Sequence, residues 1–190
     1  MFSSHSSANA QARRFEIPCS LQLWNASFDS IKTQIGVVEQ TGRNDGPEID
    51  GYLRSVGLGK GYPYCYAGQY WGFYVASSAG VCRGGKLDVP LLRVGLASAG
   101  FYNGCRKGTQ TVAIPQPKDL IFWKFAKTAS GHVERIDSVK RAGWVTTIGF
   151  NTSAGTTGDQ RDGGGVHPRL RNYKFPLGRM QVLGFLGRKS

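Results

Sequence analysis

The spacing of apolar residues in the first half of the chain predicts helices. Apolar side chains recur every three or four positions across residues 27–42, where Ser27 is a suitable N-cap and Gly42 a suitable stop. A second, shorter helix is expected to have Pro47 in its first turn, where proline is favoured, and to end before Gly57. Both segments are therefore predicted to be amphipathic helices.

The third predicted helix is apolar on nearly all sides. Residues 65–78 contain no helix breaker stronger than two glycines, and Pro63 disfavours helix for the residue before it. A helix that is apolar all round is a buried one, so we expect a central helix that begins at Cys65. A fourth helix is expected over residues 88–100, with Pro90 in its first turn.

The second half of the chain has the pattern of short β-strands. Its apolar runs are rich in β-branched and aromatic residues and are separated by glycine, serine, proline or lysine. Helices followed by strands indicate an α+β fold, with N-terminal helices packed on a C-terminal antiparallel sheet. No linker or repeat divides the chain, so residues 15–190 are predicted to form one domain after a flexible, polar and basic tail of residues 1–14. The predicted strands are DLIFWKF (119–125), GHVERID (131–137), WVTTIGF (144–150) and RMQVLGFL (179–186).

Composition supports a folded domain, and charge indicates an anionic partner. The chain has 190 residues, of which 40% are hydrophobic, enough to build a core. Its formal net charge of +12 predicts attraction to nucleic acid, to a charged membrane surface or to bacterial wall polymers, without choosing among them. No apolar run is long enough for a membrane span, and the N-terminus lacks the apolar segment of a secretory signal. The sequence therefore predicts a protein made in the cytoplasm.

The cysteines indicate one candidate nucleophile and no cofactor. The four cysteines are too widely separated for a zinc knuckle or a dense disulfide scaffold. Cys65 stands out because the amide groups and dipole at a helix N-terminus favour a negatively charged thiolate. The alternative is that Cys65 is simply a small buried apolar residue. Asp45, Glu48 and Asp50 are too irregularly spaced for a calcium loop, so no metal is expected.

A nucleophilic thiol needs a base, and His132 is the best candidate among the three histidines. It begins a predicted strand, which is rigid enough to hold an imidazole against a thiol on a facing helix. Asn151, at the end of the next strand, would lie near His132 if the two strands pair, and its amide oxygen would accept the second ring N–H. Each of the three residues, Cys65 included, also has a purely structural interpretation as a core, strand or turn residue.

Five segments occur in an informative order: "IGVVEQTGRNDGPEIDGYLRSVGLGKGYPYC", "PKDLIFWK", "SGHVERI", "GWVTTIGFNTS" and "GGGVHPRLR". In this order they resemble the landmarks of the CHAP family, the cysteine- and histidine-dependent amidohydrolases and peptidases of phage lysins and bacterial wall enzymes. The resemblance covers roughly residues 30–172. It implies a papain-like α+β fold and hydrolysis of amide bonds in peptidoglycan.

The resemblance also implies roles for individual residues. Cys65 aligns with the family's nucleophile, His132 with its base, and Asn151 with the asparagine of a Glu-Gly-Asn-Thr stretch. In this chain Gly149 stands where that stretch often has an acidic residue, two places before the asparagine. The alternative is therefore a catalytically degenerate virion or wall-binding structural protein on a CHAP-like scaffold.

A cysteine hydrolase also needs donors for the oxyanion of its tetrahedral intermediate. The backbone N–H of Cys65 is one candidate, and Asn44 in "GRNDGP" is another. The alternative for Asn44 is a role in a turn and helix cap.

The expected partner is bacterial peptidoglycan, with the basic surface holding the protein to anionic wall polymers. Virion or delivery-machine proteins are further expected partners, because the protein would act on the cell wall after release or injection. Nucleic-acid binding through the arginine-rich C-terminal segment is the weakest hypothesis, since solvated basic strands explain the same residues.

Overall fold

The structure, a computed structural model, describes residues 12–81, 87–155 and 163–189. Within these ranges the chain forms four α-helices and one mixed sheet of seven strands, so the α+β class predicted from the sequence is confirmed. The helices are α1 (Leu21–Lys32), α2 (Pro47–Ser55), α3 (Cys65–Ala76) and α4 (Ala97–Lys107). The strands are β1 (Arg13–Ile17), β2 (Thr109–Thr111), β3 (Leu120–Phe125), β4 (Gly131–Val139), β5 (Trp144–Thr152), β6 (Gly165–Asn172) and β7 (Met180–Arg188).

The sheet has the strand order β2-β1-β7-β3-β4-β5-β6. Its larger part is the antiparallel run from β7 to β6, which contains all four strands expected from the sequence. At the other side, β1 pairs in parallel with β7 and antiparallel with β2. The sheet is therefore mixed, and the predicted separation of N-terminal helices from a C-terminal sheet is incomplete.

The first strand shows that the ordered domain begins earlier than predicted. The predicted tail includes Arg13 and Arg14, but both residues belong to β1. Arg14 is only 2% exposed, and its Nε donates to Asp119 Oδ2 at 2.7 Å while its Nη1 donates to Glu16. An arginine can be buried in a strand when carboxylates neutralise it, which explains why a polar stretch joins the sheet. Residues 1–11 of the predicted tail lie outside the described residues.

The boundaries of α1 differ from the prediction. Ser27 lies buried in the middle of the helix, and Ser20 is the N-cap whose hydroxyl accepts a backbone N–H from the first turn. The helix ends at Lys32 rather than continuing toward Gly42. Ile35, which continues the apolar periodicity, is 42% exposed in the following loop. The periodicity therefore extends beyond the part of the segment that packs on the core.

The other three helical predictions have mixed outcomes. The second helix begins at Pro47 and the central helix begins at Cys65, as expected. The predicted helix over residues 88–100 is wrong, because α4 begins only at Ala97. Gly95 packs against the side chain of Leu58, since a Cβ on Gly95 would lie 2.4 Å from that side chain. Helix α4 begins after this contact.

The central helix α3 packs directly on the sheet. Most of its residues are buried, in keeping with an apolar sequence on all sides. Gly68 allows the close approach to β5, since a Cβ at this position would lie 2.1 Å from the ring of Phe150. This approach sets the position of Cys65, the first residue of the helix, relative to the strands.

Gly68→Ala is expected to lower the free energy of unfolding by about 2 kcal/mol, because the added methyl group overlaps a buried ring. Gly59→Ala is the matched control, since open space surrounds Gly59 and a change of less than about 0.5 kcal/mol is expected. Denaturant unfolding measures both changes. Equal midpoints for the two variants would contradict the packing described here.

Candidate active site

Cys65 occupies the N-terminal end of a buried helix. The preceding residue, Tyr64, does not cap α3 with its side chain, and its hydroxyl donates to Glu39 Oε1 at 3.3 Å. The thiol therefore lies at the positive end of the helix dipole of α3, among the amide groups of the first turn. Cys65 is 4% exposed, and it lines an open groove of ≈ 330 Å³. A ligand in the groove can therefore contact a sulfur that bulk water scarcely reaches.

His132 is fully buried on β4 and is held on two sides. Its Nε2 lies 3.0 Å from Glu134 Oε1. Its ring packs against Trp123, the directly paired residue on β3, with 6.0 Å between ring centroids. Glu134 occupies Nε2, whereas Nδ1 is buried and has no hydrogen-bond partner among the described residues. The contacts with Glu134 and Trp123 therefore fix the orientation of the imidazole, and Nδ1 is the ring nitrogen available to Cys65.

The ionisation of His132 depends on both neighbours. Burial alone lowers the pKa of His132, but the interaction with the adjacent Cys65 and the hydrogen bond and negative charge of Glu134 raise the pKa to about 9. An imidazolium is thus favoured at neutral pH when the neighbouring sulfur carries a negative charge. A thiolate beside an imidazolium is the reactive form of a cysteine nucleophile.

Glu134 supplies the negative charge behind the histidine. Its carboxylate is fully buried and accepts hydrogen bonds from Arg171 and from the Thr147 hydroxyl. Burial raises the pKa of Glu134, but the charge of Arg171 and the hydrogen bonds from His132 and Arg171 hold it well below its usual range. An ionised carboxylate only accepts hydrogen bonds, so Nε2 of His132 carries the proton and Nδ1 is left to exchange one with the thiol.

The structure corrects the role predicted for Asn151. The sequence predicts that Asn151 accepts the hydrogen bond that orients His132, but the partner of Nε2 is Glu134. Asn151 is buried on β5 with a positive φ of 54°, and its carbonyl accepts a hydrogen bond from the Gly163 N–H. Sequence reasoning missed Glu134, although its position two residues after His132 places both side chains on one face of the strand.

The carboxylate of Glu134 fills the space opposite Gly149. These two residues are directly paired across β4 and β5. A Cβ at position 149 would lie only 2.9 Å from Glu134 Oε1. The resemblance predicts an acidic residue at 149, and in this chain a carboxylate from the neighbouring strand lies against that position. The glycine is thus compatible with a complete site.

Asn44 forms hydrogen bonds that connect two loops. It is partly buried with a positive φ of 55°, and its backbone N–H donates to Glu39 Oε2 at 3.0 Å. Its side-chain Nδ2 donates to the carbonyl of Gly61 at 3.4 Å, in the loop that leads to α3. These contacts fit the turn interpretation of Asn44, and the oxyanion role stays a prediction.

Comparison of the chain with protein-family models, curated proteins and solved structures finds no match. Among the described residues there is no group of three or more His, Cys, Asp or Glu that could hold a metal ion. Over the same ranges, no helix is both long and apolar enough to cross a membrane. The geometry of the site itself therefore carries the functional conclusion.

Cys65→Ser is expected to lower the pKa of His132 from about 9, because the serine hydroxyl does not supply the negative charge that stabilises the imidazolium. NMR titration of the His132 ring measures the change. His167 is an internal control, since burial and the charge of Arg169 lower its pKa and neither effect involves Cys65. An unchanged His132 midpoint would show that the two side chains do not interact.

Glu134→Gln is also expected to lower the pKa of His132, because the amide keeps the shape of the side chain but loses its charge. It leaves Arg171 buried beside a neutral group, at a cost of about 3 kcal/mol of folding free energy. Asp119→Asn is the matched control, since it removes another buried carboxylate that is paired with an arginine. Asp119→Asn is expected to lower the free energy of unfolding without changing the pKa of His132. An equal change in the His132 pKa in both variants would count against the role of Glu134.

Proposed function

We propose that this protein is a cysteine hydrolase that cleaves an amide bond of bacterial peptidoglycan, as an endopeptidase or an amidase. The supporting observation is the buried row of Cys65, His132 and Glu134, with the sulfur on an open groove. The row combines a nucleophile, a base and a group that orients the base, which is the arrangement of a nucleophilic triad.

In the first half of the proposed reaction, the Cys65 thiolate attacks the carbonyl carbon of the substrate amide. The electron pair of the C=O bond moves to oxygen, where the backbone N–H of Cys65 at the start of α3 donates a hydrogen bond. The imidazolium of His132 gives its Nδ1 proton to the leaving amine, and the C–N bond breaks. A thioester on Cys65 and a free amine result.

In the second half, water hydrolyses the thioester. His132 takes a proton from the water through Nδ1, and the resulting hydroxide attacks the thioester carbonyl. The C–S bond breaks, the acid leaves, and the thiolate and imidazolium are restored. Glu134 stays ionised throughout and keeps the proton of the imidazole Nε2 in place.

Two further observations support peptidoglycan as the substrate and a papain-like arrangement of the fold. The net charge of +12 favours adsorption to anionic wall polymers, and the resemblance to CHAP enzymes runs through the segments that hold Cys65 and His132. A cysteine at the head of a helix that packs on antiparallel strands is the papain-like pattern.

We propose that the protein acts at the cell wall, which it reaches after release or injection. Virion or delivery-machine proteins are further proposed partners.

The alternative of a binding-only protein is based on the missing acidic residue at Gly149 and on the basic, polar ends of the chain. Glu134 places a carboxylate against position 149 and bonds to the base. This contact supports the catalytic proposal over a degenerate site.

The wild-type protein is expected to release soluble fragments from purified sacculi, and Cys65→Ala is expected to reduce the rate by at least about 10³-fold, because no other group replaces the nucleophile. Mass spectrometry of the fragments identifies the bond that is cut. Asp119→Asn is the control for lost stability, since it lies outside the proposed triad and is expected to retain activity at a temperature where it is folded. Equal release by wild type and Cys65→Ala, or none by either, would refute the proposal.

A further inference from the structure

The groove beside Cys65 is mainly apolar. Its walls include Leu58, Val94, Leu96 and Ala97, together with the ring of Tyr62. No charged side chain lines it in the part of the chain that the structure describes. This uncharged, mainly apolar lining is typical of ligand pockets and favours the binding of an uncharged apolar group.

In the proposed reaction, the groove lies on the acyl side of the scissile bond. Cys65 lines the groove, whereas the fully buried His132 does not. In the proposed reaction the acyl group becomes bonded to the Cys65 sulfur, and the leaving amine receives its proton from His132. The part of the substrate that occupies the groove beside Cys65 is therefore the acyl part.

The groove suits one or two small residues. Its ≈ 330 Å³ lies at the lower end of the range of about 300 to 1,000 Å³ that is typical of ligand pockets. Gly95 narrows it, because the absence of a Cβ lets the loop before α4 lie against the end of the Leu58 side chain. A bulky or branched chain of several residues would exceed this space.

We propose that this groove is the acyl-side specificity site, and that it selects peptides with an uncharged aliphatic side chain, from alanine to leucine, at the residue whose carbonyl is attacked. The inference rests on the proposed function. A charged side chain would lose its hydration in the groove without gaining a partner. An aliphatic side chain gains affinity of about fourfold for each methylene group that it buries.

Peptidyl chloromethyl ketones test the groove without requiring turnover. The four probes carry Ala, Leu, Glu or Lys beside the reactive carbon, and intact mass measures the rate at which each labels the full-length protein. In the labelling step the Cys65 sulfur forms a bond to the methylene carbon, chloride leaves with the electron pair of the C–Cl bond, and His132 holds the thiol proton. We expect the Ala and Leu probes to react at least about tenfold faster than the Glu and Lys probes.

Two controls separate the groove from the reactivity of the thiol. Iodoacetamide has no side chain, so its rate reports the sulfur itself, and the rate of each probe is divided by it. Cys65→Ala shows which labelling belongs to Cys65. An iodoacetamide rate no higher than that of an unfolded thiol counts against the proposed function, whereas equal normalised rates for the four probes overturn the specificity inference.

A matched pair of variants tests where the selection arises. Leu96 precedes α4 and lines the groove, and Leu21 is the exposed first residue of α1 outside it. Leu96→Glu and Leu21→Glu both place a carboxylate at a helix N-terminus, where it is well tolerated. Leu96→Glu is expected to raise the Lys-to-Leu rate ratio at least about fivefold. Leu21→Glu is expected to leave it unchanged, and an unchanged ratio in Leu96→Glu would overturn the inference.

Discussion

The candidate site depends on the buried ion pair between Glu134 and Arg171. A carboxylate enclosed in the sheet is costly unless a cation and further donors surround it, and removing one partner of such a pair costs several kcal/mol, about 3 to 5. Here the carboxylate also bonds to His132 on its own strand and to Thr147 on β5, while Arg171 reaches it from β6. The Glu134 carboxylate therefore links β4, β5 and β6 through hydrogen bonds, and it keeps the proton of His132 on Nε2.

This arrangement makes the register of the sheet a condition for chemistry. His132 and Glu134 share a face of β4 because side chains alternate along a strand, and a slip of one residue would turn both to the other face. The pairing of Glu134 with Gly149 is equally strict, since a larger residue at 149 would displace the carboxylate. Helix α3 must then approach the sheet closely, through Gly68, for Cys65 to meet the imidazole.

Elements with a plain local signal could be predicted from the sequence. Apolar and β-branched runs located β3, β4, β5 and β7, and the all-round apolar segment located α3. With these elements in place, Cys65 and His132 could be chosen by their positions at a helix start and a strand start. Their proximity could only be expected, because pairing and packing are not local properties.

The missed features are those in which a distant partner overrides the local pattern. β1 and β6 contain arginines that suggest solvent exposure, yet Arg14 and Arg171 are buried by carboxylates far along the chain. Glu134 is not predicted as a site residue for the same reason, since a charged residue in a strand usually faces water. The predicted extent of α1 differs because Ser27 matches an N-cap in the local pattern, whereas in the structure Ser20 accepts the hydrogen bond and Ser27 lies inside the helix.

The place of β7 between β1 and β3 has a consequence for biosynthesis. The ribosome makes β1 first and β7 last among the described strands, so the earliest strand waits for its parallel neighbour until nearly the whole domain has emerged. Contacts between such distant segments form slowly. Insertion of β7 thus joins two partial sheets, β2-β1 and β3-β4-β5-β6, in one late step. A nascent chain that stops before β7 would leave the edges of β1 and β3 unpaired and able to pair with strands of other chains.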